Sequence, residues 1–268
     1  MMNKNQLGII EDWSEKGFKH THDLGLTKIE FCYNIGNDPK DLLANLDNLK
    51  MWQDKYQVAL GAMGRWGSDK IDESGYVIED EFKNNCTLID IASELGCTVF
   101  NTGVNFVKDY SYDKNCEFAV KYLRRITEYG KEKGVRVALY NCDWNNFANQ
   151  PKAWEKIIPE VDGLGIKFDP THPINERQAD FIQEMIDWGK YFYHFHIKGT
   201  IQHGKNHVDD PPAGLDMINW HEVIGLLYWM GYDGMLSLEP HSAVWKNGEL
   251  GEWGIRHSIK YIENMLLD

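Results

Sequence analysis

Two histidines and a lysine alternate with aromatic and aliphatic residues in the stretch 191-YFYHFHIKG-199. Successive side chains of a β-strand point to opposite faces, so this alternation places His194, His196 and Lys198 on one face. The opposite face is then apolar and aromatic and consists of Tyr191, Tyr193, Phe195 and Ile197. Imidazole and amine groups gathered on one face of a strand are suited to metal binding and proton transfer.

Two other apolar stretches end in a carboxylate and show the same alternation. In 164-LGIKFD-169 the polar face ends in Asp169, and in 234-GMLSLEP-240 it ends in Glu239. A carboxylate is costly to bury unpaired, and a divalent cation bound by carboxylate and imidazole groups removes that cost. Asp169, His196 and Glu239 are therefore candidate metal ligands. The alternative is an internal hydrogen-bond network, which is common for buried polar residues.

The three stretches belong to a regular alternation of strand-like and helical segments. Helical patterns, with apolar residues three to four apart, lie at 40–56, 81–96, 115–134 and 176–190. The segments with strand character are 7–10, 28–34, 58–63, 98–103, 135–141, 164–169, 191–199 and 234–240. Strands separated by helices pair in parallel, and eight such units in about 250 residues are typical of a (β/α)₈ barrel. We therefore predict an α/β fold, a single TIM barrel domain over residues 1–268.

A barrel places its active-site residues at the carboxyl ends of the strands, and one face of each strand fills the interior. Asp169, His196, Lys198 and Glu239 lie at or near such strand ends. The alternation turns further polar and aromatic side chains inward, namely Glu30, Asn101, Tyr140 and Lys167. The irregular stretch 199–220 follows the seventh strand and is expected to be an active-site loop.

The composition restricts the classes of partner. A formal net charge of −13, with no local cluster of lysine and arginine, argues against a nucleic-acid partner. No apolar run reaches the roughly 18 residues that span a bilayer, so no membrane partner is expected. The five cysteines show no CxxC spacing and no signal peptide precedes them, which favours the cytoplasm.

In these motifs the sequence resembles the xylose-isomerase-like barrels, a superfamily of sugar isomerases and epimerases that also includes inosose dehydratases and a DNA-repair endonuclease branch. The resemblance covers nearly the whole chain. The stretches that carry it are 168-FDPTH-172, 195-FHIKG-199, 209-DDPPAGLDMINW-220 and 231-GYDGMLSLEP-240. It implies one divalent metal ion, Mn²⁺ in the first place and otherwise Co²⁺, Mg²⁺ or Zn²⁺, held by Asp169, His196 and Glu239.

Strand five departs from the family pattern. The family's inward glutamate corresponds to Tyr140 here, and a phenol is a poor ligand for Mn²⁺ at neutral pH. In this respect the sequence resembles the inosose dehydratase branch. Asn141 and Asp143 are candidates for the missing ligand. Without it, the ion would keep more open positions for a substrate hydroxyl and carbonyl.

The resemblance and the residue types together suggest a role for each remaining site residue. Glu239 is expected to act as a base as well as a ligand, and Lys198 to donate a proton or bind an oxyanion. The alternative for Lys198 is an ion pair with Glu30 or Asp169. The alternative role of His194 is to orient a metal ligand, and the alternative role of Trp66 and Trp144 is to pack against loops. The expected substrate contacts are His172, Glu30, Trp66, Asn101, Tyr140, Trp144 and His194.

A metal ion that bridges a carbonyl oxygen and the neighbouring hydroxyl stabilises the enediolate formed when the carbon between them loses a proton. The predicted function is therefore a metal-dependent isomerase, epimerase or dehydratase of a small carbohydrate or cyclitol. The alternatives are a lyase of 3-keto-glycosides and a non-catalytic sugar-binding barrel. The resemblance further implies a homo-oligomer, either a dimer or a tetramer.

Overall fold

The computed structural model describes residues 2–245 and 247–268. Over these residues a closed barrel of parallel strands forms, which confirms the predicted (β/α)₈ architecture. The barrel strands are β1 (Leu7–Ile10), β2 (Lys28–Cys32), β3 (Ala59–Arg65), β4 (Val99–Thr102), β5 (Arg136–Tyr140), β6 (Gly165–Phe168), β7 (Phe192–Ile197) and β10 (Leu236–Leu238). Between β7 and β10, the strands β8 (Ile201–His203) and β9 (Asn206–Asp209) pair with each other outside the barrel.

Helices cover the outside of the barrel. They are α1 (Glu15–Asp23), α2 (Pro39–Ala44), α3 (Leu46–Tyr56), α4 (Glu79–Glu94), α5 (Tyr112–Glu132), α6 (Pro151–Ile157), α7 (Phe181–Trp188), α8 (Trp220–Met230) and α9 (Gly248–Glu263). Apolar residues on the outer face of the strands pack against these helices and form the main core, for example Ile166, Phe195 and Leu238. None of the helices in the described ranges is both long enough and apolar enough to cross a membrane.

Three predicted segments are divided differently in the structure. The pattern at 40–56 forms two helices, because Nδ2 of Asn45 donates a hydrogen bond to the Asp41 carbonyl oxygen and ends α2. The pattern at 176–190 begins with a π-helical turn, and α7 begins at Phe181. The Asp180 side chain precedes it as the N-cap and accepts a hydrogen bond from the Gln183 amide. The stretch 199–220, predicted as irregular, contains the β8–β9 hairpin.

The amino-terminal end of the barrel interior is apolar. Met235 packs there against small inward residues from other strands, namely Ala62, Val99 and Ala138. Gly8 and Gly61 leave the space for the Met235 side chain, because a Cβ atom at either position would overlap it. This end of the interior is therefore a packed core and not a binding cavity.

The predicted outward orientation of Tyr193 is wrong. The register between β6 and β7 shifts by one residue, so that Ile166 pairs with Phe192 but Lys167 pairs with His194. The extra residue turns Tyr193 toward the apolar end of the interior, where its ring packs over Gly165. Beyond the shift the predicted alternation holds.

Candidate active site

The register of three adjacent strands brings the predicted metal ligands together. Across β6, β7 and β10, Phe168 pairs with Phe195 and Leu238 pairs with Ile197. Asp169 consequently lies beside His196, and Glu239 lies beside Lys198, the next inward position along β7. Asp169, His196 and Glu239 offer ligand atoms that all lie within 4.8 Å of one another.

The two carboxylate oxygens of Asp169 have different environments. Oδ1 accepts hydrogen bonds from the amide and the hydroxyl of Thr171, at 2.8 and 2.7 Å. Oδ2 faces Lys198 Nζ at 3.0 Å and His172 Nε2 at 3.3 Å. Burial alone would raise the pKa of Asp169, but the Lys198 ammonium, with His172 and Lys167, holds it well below its usual range. Asp169 is therefore a carboxylate with one oxygen fixed and one available.

The two ring nitrogens of His196 face opposite kinds of neighbour. Nε2 lies 3.0 Å from Glu30 Oε2, and Nδ1 lies 2.9 Å from Glu239 Oε2 and 3.9 Å from Asp169 Oδ2. Because Glu30 can only accept, Nε2 carries a proton, which leaves Nδ1 as the nitrogen available to a cation. Burial would lower the pKa of His196, but Glu30 and Glu239 raise it above its usual value. An imidazole nitrogen that faces two carboxylates is stabilised by either a proton or a metal ion between them, so the donor set fits a divalent cation.

Glu30 and His194 form a second buried layer beneath His196. His194 Nε2 lies 2.8 Å from Glu30 Oε2. Burial lowers the pKa of His194, whereas the two histidines outweigh burial and hold the pKa of Glu30 well below its usual range. Glu30, His194 and His196 also bring ligand atoms within 4.8 Å, but hydrogen bonds among them already use these atoms. The layer orients His196.

Lys198 forms ion pairs with two of the candidate ligands. Its Nζ atom lies 3.0 Å from Asp169 Oδ2 and 3.2 Å from Glu239 Oε2. Burial would lower the pKa of Lys198, but these carboxylates raise it well above its usual range. Of the two ion-pair partners considered from the sequence, the structure places Asp169 and not Glu30 beside Lys198.

A cavity of about 460 Å³ opens above this cluster at the carboxyl ends of the strands. Charged residues from β6, β7 and β10 and the loops after them line one side, namely Lys167, His172, Glu176, His196, Lys198, Glu239 and His241. Mostly apolar or uncharged residues line the remainder, namely Ile10, Cys32, Asn34, Trp66, Cys142, Asp143, Trp144 and Pro240. The volume lies within the range of small-molecule sites.

Three of the predicted substrate contacts, His172, Trp66 and Trp144, line this cavity. The other four lie behind the lining with 0–1% exposure, namely Glu30, Asn101, Tyr140 and His194. None of these four side chains lines the cavity, and their direct contact with substrate stays a prediction.

The structure distinguishes between the two candidates for a strand-five ligand. Both amide atoms of Asn141 bond to the backbone of Asp169, with Nδ2 donating to the carbonyl and Oδ1 accepting from the amide at 2.9 and 3.0 Å. Asn141 therefore positions Asp169 and is not directed at a metal. Asp143 is exposed and lines the cavity. Burial raises the pKa of Tyr140, so its phenol stays protonated.

The sequence interpretation missed several cavity residues. Asn34 follows Glu30 and Cys32 at two-residue steps, so the alternation extended by one step would have identified it. Glu176 lies 2.5 Å from His172 Nδ1 through its Oε1 atom. His241 lies 3.3 Å from Asp210 Oδ2. Glu176 and His241 lie outside the strands, where no alternation indicates their direction.

The model of the xylose isomerase-like TIM barrel family matches residues 18–265. The chain belongs to this family. A curated relative, an uncharacterized protein of Methanocaldococcus jannaschii, is 30% identical over 126 residues, which are 44% of this chain and 41% of that protein. The match thus spans less than half of that protein.

Solved structures share the barrel over almost the whole chain. The apo 3-keto-D-glucoside 4-epimerase of E. coli has a TM-score of 0.74 at 15% identity, over 97% of this chain and 99% of that chain. The D-psicose 3-epimerase of Clostridium cellulolyticum H10, solved with D-tagatose, has a TM-score of 0.74 at 15% identity over 100% of both chains. A xylose isomerase-like barrel of Mycobacterium smegmatis in complex with magnesium has a TM-score of 0.73 at 16% identity, over 94% and 87% of the two chains. At these identities the likeness concerns the fold.

Proposed function

We propose that this xylose isomerase-like barrel is a metal-dependent isomerase or epimerase of a small carbohydrate or cyclitol that works through an enediolate. The observation that carries the proposal is the convergence of Asp169 Oδ2, His196 Nδ1 and Glu239 Oε2 beneath a cavity that His196 and Glu239 line. Sugar epimerases and a magnesium-bound barrel are among the structures similar to this chain, which supports the same class of reaction.

Asp169, His196 and Glu239 would hold the ion, and we propose Mn²⁺, with Co²⁺, Mg²⁺ or Zn²⁺ as alternatives. When bound, the ion supplies positive charge that polarises a substrate carbonyl and stabilises the enediolate oxygens. Asp143 is the remaining candidate for a fourth protein ligand, since Asn141 is used by the Asp169 backbone.

Glu239 is the proposed base. Burial would raise the pKa of Glu239, but Lys198 and His196 hold it well below its usual range, so the carboxylate is ionised and can accept a proton. Lys198 keeps its positive charge between two carboxylates, and we assign it to binding the oxyanion, in preference to donating a proton. Thr171 and Asn141 hold Asp169 in place, while Glu30 holds the His196 ring.

Loss of a β-hydroxyl from the same enediolate would make the protein a dehydratase, and loss of the β-positioned glycosidic oxygen with its aglycone from a 3-keto-glycoside would make it a lyase. These remain alternatives within one mechanism, and a non-catalytic sugar-binding barrel is the alternative outside it. We further propose a cytoplasmic location and a homo-oligomer, a dimer or tetramer, with no nucleic-acid partner. The net charge of −13 and the free state of all five cysteines support the location and the absence of nucleic acid.

The first experiment measures metal content and then deuterium uptake from D₂O into a panel of ketoses and keto-inositols. We expect about one metal ion per chain and exchange that is lost in Glu239→Gln. Glu128→Gln, at an exposed position of α5, is the matched control and should exchange like the wild type. Stoichiometric metal without any exchange across the panel would favour the binding barrel. Product analysis of the exchanging substrate then separates isomerase, epimerase and dehydratase.

A further inference from the structure

The cavity has an aromatic side that the proposed chemistry does not use. Trp66 follows β3 and Trp144 follows β5, and both line the cavity. The Trp66 ring stacks on Tyr140, with ring centroids 5.1 Å apart and planes inclined by 16°. Trp66 is 6% exposed and Trp144 is 47% exposed, so the pair combines a fixed inner ring with an accessible outer one.

Glycines leave the space that these aromatic rings occupy. A Cβ atom at Gly64 would overlap the Trp66 ring, and one at Gly103 would overlap the phenol end of Tyr140. At Gly67, where φ is +80°, a Cβ atom would lie 2.7 Å from Trp144. The backbone thus accommodates each of the three rings at a position where any larger residue would displace it.

Trp66 follows β3, which lies opposite β7 in the barrel, whereas Trp144 follows β5, which is adjacent to β6. The charged side offers His196, Lys198 and Glu239 to substrate oxygens, whereas the aromatic side offers flat apolar surface. A polar exception is Asn34, which also lines the cavity. A ligand that matches both sides has oxygens along one edge and an apolar face on the other.

We propose that the substrate is a cyclic ketone, a keto-pyranoside or a keto-cyclitol, whose ring lies against Trp66 and Trp144. The C–H bonds of a chair-shaped ring form a continuous apolar face that complements the electron-rich face of an indole. An acyclic ketose has no such face and also loses more conformational freedom on binding. This inference rests on the proposed function, because the oxygen edge of the ring is the part that reaches Asp169, His196 and Glu239.

The test compares two unreactive probes that both carry six carbons and six hydroxyls, the cyclic myo-inositol and the acyclic D-sorbitol. Their affinities for Mn²⁺-loaded protein are measured by isothermal titration calorimetry. We expect myo-inositol to bind about 5- to 10-fold more tightly, the difference that one or two aromatic contacts supply. Trp144→Ala should remove this preference and leave sorbitol binding within about twofold.

Two more variants keep the test decisive if one of them folds poorly. Trp66→Leu retains an apolar side chain but removes the flat ring, so it should also reduce the preference. Trp229→Ala, at a site on α8 that is 70% exposed and far from the cavity lining, should leave both affinities unchanged. Thermal unfolding of each variant shows that the comparison is made on folded protein.

Equal affinity for the two probes, no measurable binding of myo-inositol, or a preference that survives in both Trp144→Ala and Trp66→Leu would overturn the inference. These outcomes are separable from failure of the proposed function. Metal content and deuterium exchange test that function on the same sample. Exchange into acyclic ketoses with no ring preference would leave the enediolate chemistry standing and remove the cyclic substrate.

Discussion

The two ends of the barrel interior differ in polarity, although the inward residues of the same strands form both. At the amino-terminal end, Met235 packs among small residues and between two glycines. At the carboxyl end, the inward positions carry Asp169, His196, Lys198 and other charged groups in direct contact. The first end buries apolar surface and stabilises the fold, whereas the second removes charges from water and needs partners to offset the cost.

Stability and ligand binding therefore depend on different residues of the same strands. Buried charges persist only when they are paired, and here each pairing also fixes the direction of a reactive atom. The Asp169 oxygen held by Thr171 and the His196 nitrogen held by Glu30 are examples. Substitutions at the polar end should therefore change ligand binding most, and those at the apolar end should change the free energy of unfolding most.

The largest effect is expected for Asp169→Asn. The amide keeps the shape of the side chain but removes the charge that faces the cation position, so Mn²⁺ affinity should fall by more than about 100-fold. Equilibrium dialysis followed by elemental analysis measures it. Asp187→Asn, at an exposed position of α7, is the matched control. Unchanged Mn²⁺ affinity in Asp169→Asn would contradict the assigned ligand set.

The opposite result is expected for Met235→Ala. The residue is 3% exposed, and its truncation leaves a cavity among Ala62, Val99 and Ala138. We expect the free energy of unfolding to fall by about 3 kcal/mol, with Mn²⁺ affinity within about twofold of the wild type. Urea unfolding and dialysis measure the two quantities. If metal affinity fell as much as stability, the two ends of the interior would not be independent.

The sequence predicts the orientation of strand residues only where that orientation depends on interactions that are local along the chain. The two-residue alternation identified the polar inward residues of β6, β7 and β10, because it is a local property of an extended chain. It failed at Tyr193, because a one-residue register shift depends on the neighbouring strand.

The candidate site shows the same limit. Asp169, His196 and Glu239 were recognised from their motifs, and the structure brings them together. Glu30 was recognised as inward, but its contacts with His194 and His196 cross the barrel, so sequence spacing does not indicate them. Asn141 was considered as a ligand because of its residue type, whereas its actual bonds to the Asp169 backbone depend on the β5–β6 register.

A smaller effect at the polar end is expected for Glu30→Gln. The amide oxygen can accept a hydrogen bond from one histidine, but the NH₂ group faces the other, so the tautomer and orientation of His196 are no longer fixed. Mn²⁺ affinity should fall by about 10- to 100-fold, the usual effect of losing a group that orients a metal ligand. Metal titration measures it, and thermal unfolding serves as the control for folding. An affinity equal to the wild type would show that His196 does not need Glu30.

The smallest effect concerns a buried charged cluster that does not line the active-site cavity. Arg65 donates to both oxygens of Glu81 at 2.6 and 3.2 Å, and Ser68 donates to Oε1 at 2.6 Å.

Burial would raise the pKa of Glu81, but Arg65, Lys70 and Ser68 lower it from 4.5 to about 2. Between these values the unfolded chain binds more protons than the folded one, so stability rises with pH in this window and is lost on acidification. We expect the loss of stability between pH 4.5 and 2 to be about 1 to 2 kcal/mol smaller in Glu81→Gln than in the wild type, as measured by urea unfolding. The exposed Glu79→Gln, which removes the surface pair with Arg125, should keep the wild-type pH dependence, and an equal flattening in both variants would refute the role of burial.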